Sequence, residues 1–149
     1  MATDREHMHT AYQQALKSYT EGGLPIGAVM VDTATDEVIA VGHNRRVQDG
    51  NPILHGEMDC FQNAGRRPNY KGTTLYTTLS PCMMCSGTIV QFGIEKVVIG
   101  ENVNFVGNMD FLKAQGVEVV LLDDEACKAL MEKFIAEKPE LWAEDIAEG

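Results

Sequence analysis

Three side chains of metal-ligating type stand in two short runs, His55 in HGE and Cys82 with Cys85 in PCMMC. Cysteines one helical turn apart share a face and can grip one Zn²⁺, and a helix N-terminus favours their thiolate form. Alone, the pair also fits buried core cysteines or a redox couple. His55 shifts the balance, because three protein ligands with an acid alongside make the open arrangement of catalytic zinc. A closed structural site needs a fourth ligand. Cys60, five residues after His55, is at a poor angle on a helix, and Cys127 lies on a distant one, so both read as core or surface cysteines. His7 and His9 read as solvent-facing, and His43 as a loop residue. Glu57 lies too close to His55, and on the wrong turn, to be needed as a ligand. It reads as a proton shuttle, although position alone fits a helix-terminal acid equally well.

Local elements must carry these groups to one place. Met8, Ala11, Tyr12, Ala15, Leu16 and Tyr19 recur at helical spacing, and Gly22-Gly23 stop that helix. PIGAVMVDTATDEVIAVGHN predicts a β-hairpin, ILHGEMDCFQNAG a helix ending at Gly65, and TTLYTTL a strand. SPCMMCSGTIVQFG predicts a helix with Ser80 as N-cap, Pro81 in the first turn and Gly93 as stop. KVVIG and VEVVLLD predict strands covered on both faces, with a loop between them. A helix follows Asp123-Asp124, and the tail PELWAEDIAEG adds a last turn or two. The order α-β-β-α-β-α-β-loop-β-α-α predicts a sheet with helices on both faces, in one domain spanning 1–149.

Bulk properties narrow the function. Twenty-two acidic against 12 basic residues leave a net charge of −10, which repels phosphate backbones and argues against a nucleic-acid partner. The Arg45-Arg46 and Arg66-Arg67 pairs are too short to make a basic groove. No apolar run approaches a membrane span, and the start MATDREHMHTAYQQAL lacks a signal-peptide pattern. A cytoplasmic location with reduced thiols is expected.

H-x-E followed by P-C-x-x-C is the signature of zinc deaminases acting on nucleobases. EGGLPIGAV, GHN, LHGE, TTLYTTLSPCMMC, VVIGENVNF and LWAEDI extend the match. From about Tyr12 to Ile146 the chain resembles the fungal-type cytosine deaminases, of the zinc-dependent cytidine/deoxycytidylate deaminase superfamily. The resemblance implies a three-layer α/β/α sandwich with a five-stranded mixed sheet in the order 2-1-3-4-5, one Zn²⁺ per chain, and a homodimer. It implies that zinc-bound hydroxide attacks C4 of free cytosine, with Glu57 shuttling protons, to release uracil and ammonia in pyrimidine salvage. It assigns Asn44 to the pyrimidine edge, the Gly56 backbone amide and Ser80 backbone carbonyl to polar contacts, and Asp145 to a ring N–H. Ile26, Leu79, Phe105 and Trp142 become the apolar walls, the last two closing over the base. A carboxylate at that ring N–H favours a free base over a nucleoside, whose sugar takes the N1 position.

VDTATDEV, GRRPNYKG and VGNMDFLKAQG depart from the fungal pattern, which keeps isocytosine, substituted cytosines and guanine open as substrates. A tRNA adenosine deaminase should be basic and usually has Ala where Gly56 stands. A silent zinc scaffold has no use for Glu57, and a thiol oxidoreductase has none for His55.

Overall fold

The antiparallel hairpin predicted around VDTATDEV forms, and it brings both of its outer ends to the same edge of the molecule. In the computed structural model, which describes residues 1–148, the chain runs α1 (Asp4–Thr20), β1 (Gly27–Asp32), β2 (Val38–His43), a single-turn α2 (Arg46–Asp49) and α3 (Gly56–Ala64). It continues through β3 (Thr73–Leu79), α4 (Met83–Phe92), β4 (Lys96–Glu101), α5 (Met109–Ala114), β5 (Glu118–Leu121), α6 (Glu125–Glu137) and α7 (Pro139–Asp145). The strands make one sheet in the order β2-β1-β3-β4-β5. β1 pairs antiparallel with β2 and β3, whereas β3, β4 and β5 are parallel.

Alternation along the strands separates two cores. Ala28, Met30, Leu75, Val97 and Ile99 face one way, onto Cys60 and Phe61 of α3, Ile89 of α4 and Leu112 of α5. Val29, Val31, Tyr76 and Val98 face the other way, onto Met8 and Ala11 of α1 and Cys127 of α6. The result is the expected helix–sheet–helix sandwich. A third cluster of Leu24, Ile26, Leu79, Met131 and Phe134 fills one end of the sheet, with Phe105, Leu141 and Trp142 packed against it.

Local chemistry explains the element ends. Thr3 caps α1 in a reciprocal capping box with Glu6, and the Asp124 side chain accepts from the Cys127 amide at the start of α6. Gly42 lets α3 lie directly on β2, since a Cβ there would fall 2.3 Å from the Cys60 backbone nitrogen.

Several expectations are corrected. Helix α4 starts at Met83 with Cys82 as N-cap, so Ser80 and Pro81 precede it. VGNMDFLKAQG contains α5 as well as loop. β5 is the sheet edge and its side chains are half-buried or exposed, so it is not covered on both faces. His7 is buried and its Nε2 lies 2.7 Å from Asp36 Oδ1, tying α1 to the hairpin turn. His43 ends β2 rather than lying in a loop, and its buried ring meets Glu21 at 2.9 Å. Cys60 and Cys127 are core residues.

Candidate active site

Pairing register determines which residues can meet. Gly27 faces His43 across β1 and β2, and Ala28 faces Thr77 across β1 and β3. The start of β1 and the ends of β2 and β3 therefore share one edge, which collects Ile26, Asn44, Leu79 and Ser80. Leu79 in turn is level with Glu101 of β4, after which the chain reaches Phe105. Crevices at the carboxyl ends of parallel strands are where open α/β sheets bind ligands. Here α3 and α4 both begin at that edge, with His55 and Cys82 as their N-cap residues.

His55, Cys82 and Cys85 converge there. Nδ1 of His55 lies 3.4 Å from Cys82 Sγ and 3.7 Å from Cys85 Sγ, and all three donor atoms lie within 4.8 Å of one another. They border a cavity of about 240 Å³ that Glu57 also lines, with Ile26, Leu79 and Ser80 on its walls. Phe105 and Trp142 complete it, their rings edge to face at 6.3 Å and 89°. Asp145 lines it from the end of α7, with Oδ1 3.5 Å from Nε2 of His55 and 3.3 Å from Nδ2 of Asn44.

Two predicted contact residues stand behind this wall. Asn44 is fully buried, its Oδ1 accepting from the Arg46 amide at 2.9 Å so that its NH₂ group turns to Asp145. Gly56 lies against Ile26, and a Cβ there would approach the Ile26 carbonyl oxygen at 2.9 Å. That contact is a steric reason for glycine between His55 and Glu57 in this chain.

The electrostatics are those of a buried, mutually dependent cluster. A hydrogen bond from Cys85 lowers the Cys82 thiol to about 4, against burial and with help from His55. The same bond, with burial and the Glu57 charge, pushes Cys85 well above its ordinary value of 9.0. Burial pulls His55 down, but Cys82, Asp145 and Glu57 outweigh it and leave the imidazole at about 9. Burial, then the charge on Cys82, lifts the Glu57 carboxyl to about 7.

The profile of the cytidine and deoxycytidylate deaminase zinc-binding region matches residues 1–101. Cytosine deaminase of Candida albicans is 53% identical over 147 residues, covering 97% of both chains. This chain belongs to the cytidine and deoxycytidylate deaminase family. The tRNA-specific adenosine deaminase of Bacillus subtilis is 40% identical over 103 residues, 67% of this chain and 63% of that protein. The guanine deaminase from Nitrosomonas europaea superposes with a TM-score of 0.75 at 24% identity, over 91% of this chain and 86% of that one, a likeness of fold.

The zinc of this family fits the donor set. Tetrahedral bonds of about 2.3 Å to sulfur and 2.0–2.1 Å to nitrogen separate the S and N donors by about 3.6 Å. The observed 3.4 and 3.7 Å bracket that separation. No other group of three or more such side chains gathers closely enough to hold a metal among the described residues.

Some lining residues escaped the sequence reading. Met83 and Met84, between the two cysteines, border the cavity, as do Ile146 and Ala147 after α7. The interval C-M-M-C signals the first two, since residues between two ligands at a helix start lie beside the metal. Arg46, whose Nε reaches Glu144 at 3.2 Å and so ties α2 to α7, has no sequence signal.

Proposed function

We propose that the chain, as a single deaminase domain over residues 1–149, hydrolyses free cytosine to uracil and ammonia. The observation that carries this is the 53% identity to the Candida albicans cytosine deaminase over nearly the whole of both chains. Held by His55, Cys82 and Cys85, zinc supplies an acidified water as nucleophile and Lewis-acid stabilisation of developing charge. Glu57 moves the protons. Buried at the cavity wall, it can accept one from water and pass it to the ring nitrogen beside C4, then take the second from the hydroxyl newly bonded to C4 and give it to the departing amine.

The other residues hold the base. Asp145 accepts from the ring N1–H, and Asn44, pinned by the Arg46 amide, braces it from behind the wall with one N–H, its other N–H being the one that the family resemblance assigns to the pyrimidine edge. The Gly56 amide and the Ser80 carbonyl make the remaining polar contacts. Ile26, Leu79, Phe105 and Trp142 sandwich the ring and exclude water. A nucleoside puts its sugar where Asp145 would receive the N1–H, so discrimination follows from the lost hydrogen bond and the clash at that buried carboxylate.

The same reading includes a homodimer acting in cytoplasmic pyrimidine salvage, with a small-molecule base and no nucleic acid as partner. The net charge of −10 supports the last point, and no helix among the described residues is long and apolar enough to cross a membrane. The test is the ultraviolet spectrum of the zinc-loaded protein mixed with cytosine, beside a cytidine control. Loss of the cytosine band with cytidine untouched is expected. An unchanged cytosine band in protein shown to hold zinc refutes the assignment and turns attention to isocytosine, substituted cytosines and guanine.

A further inference from the structure

Glu101 is fully buried, yet no basic side chain among the described residues pairs with it. Burying a carboxyl group is costly unless its oxygens are occupied by donors. Both are. Oε2 accepts from the amides of Val103 and Asn104 at 2.8 and 3.0 Å, and Oε1 accepts from Asn104 Nδ2 at 2.9 Å. All three donors belong to the turn that ends at Phe105. The Glu101 backbone carbonyl also accepts from the Ser80 amide at 2.9 Å, and Ser80 Oγ donates to the Val106 carbonyl at 2.9 Å. The segment is thus held at both ends. Glu101 shapes its start, Ser80 holds its far side, and between them Phe105 stands edge to face against Trp142 over the cavity.

We propose that Glu101 is a positioning residue for substrate binding, which acts only through the placement of Phe105. The strand does not need this side chain, because β4 is paired through its backbone on both sides. Its three hydrogen bonds go to residues two and three further along, which is the geometry of a side chain imposing a turn on its own chain. Val103 and Val106, on either side of Phe105, are mostly exposed, so apart from Phe105 itself packing does little to hold the loop. The assignment rests on the cytosine deaminase reading for what Phe105 touches, but not for how Phe105 is held.

Glu101→Gln is the graded test. Its carbonyl can keep the two backbone donors, but its NH₂ then faces the NH₂ of Asn104. Turning Asn104 over restores that bond and costs the one from Asn104 Nδ2 to the Lys128 carbonyl, now 3.3 Å. Either way one hydrogen bond of the turn is lost. In the zinc-loaded full chain we expect KM for cytosine to rise about 3- to 10-fold, with kcat changed less than about twofold. Trp142 is the sole tryptophan, so its quenching by acrylamide reports the Phe105 contact without turnover. Quenching should increase in Glu101→Gln and in Asn104→Ala, the latter guarding against a misfolded first variant. In a Phe105→Ala background, Glu101→Gln should add less than about twofold to KM, since residues acting through one another are not additive. Unchanged quenching and KM in folded Glu101→Gln, or full multiplication of its effect with Phe105→Ala, overturns the assignment. If wild type leaves cytosine untouched, the functional reading falls while the quenching comparison still decides the role of Glu101.

Discussion

Replacing Asp145 by asparagine keeps shape and removes charge at one point of the cavity. The side chain is nearly buried, with Oδ1 3.3 Å from Asn44 Nδ2 and 3.5 Å from His55 Nε2. Burial pushes its carboxyl up, and His55 followed by Asn44 oppose that rise. In Asp145→Asn the amide oxygen can keep the Asn44 bond, so the fold and the α7 position should survive. A ring N–H then donates to a neutral acceptor whose other atom is itself a donor. Hydrogen bonds to charged groups contribute about 1.5–3 kcal/mol, so kcat/KM for cytosine should fall about 10- to 150-fold. The cytosine-to-cytidine preference should narrow with it, because cytidine has no N1–H to lose. Asp145→Ala should fall at least as far and also melt earlier, since the buried Asn44 amide loses a partner at about 1–3 kcal/mol. The assay is the initial rate of cytosine absorbance loss at fixed zinc content, with zinc measured on each preparation. Contact with His55 gives Asp145 a second route to activity, through ligand orientation. A kcat/KM for Asp145→Asn within threefold of wild type, at full zinc, refutes the carboxylate contact. Loss of activity that tracks loss of zinc assigns Asp145 to the metal instead.

Glu57→Gln, like Glu57→Ala, should retain one zinc per chain and lose at least about 100-fold in kcat, the lower range for general acid–base catalysis; near-normal turnover excludes the proton role. Chelation of zinc should make Cys82 the first thiol to react with a colorimetric disulfide reagent, because it is partly exposed and held near 4. Cys60, pushed up to about 12 by burial, and the equally buried Cys127 should react only after unfolding; four fast thiols in folded protein contradict this packing. The His7 hydrogen bond, then the Ala2 amide, hold the Asp36 carboxyl below its ordinary 3.8. A carboxyl depressed in the folded state contributes stability above its unfolded value and loses it as pH falls through the folded one. The urea midpoint should therefore drop between pH 5 and pH 2, and more shallowly in Asp36→Asn; identical slopes would show that the pair carries no acid linkage.

Much of the metal site was legible because it is local. Cys82 and Cys85 need only one helical turn to share a face, and His55 needs only to begin the next helix in space. Helical periodicity and the glycine stops located α1, α3 and α4 for the same reason, with end errors such as the N-cap at Cys82 rather than Ser80. α5 leaves no such trace, because a six-residue helix offers too few turns for a repeating apolar face. Trp142 and Asp145 are legible only through resemblance, since an acid and a tryptophan in this acidic tail have no periodicity that marks a pocket.

What the sequence by itself determined is the chemistry: the ligand types, their spacing, the acid beside them, and the alternation that builds two core faces. Tertiary structure alone decided which distant groups share the space. Strand register brings Ile26, Asn44 and Leu79 to one edge, and the α6–α7 connection swings Asp145 to within 3.5 Å of a ring 90 positions earlier in the chain. It also decided that His7 and His43 are buried and that Glu101 serves a turn. Each depends on what packs against a residue from elsewhere in the chain, and a linear pattern carries no record of those neighbours.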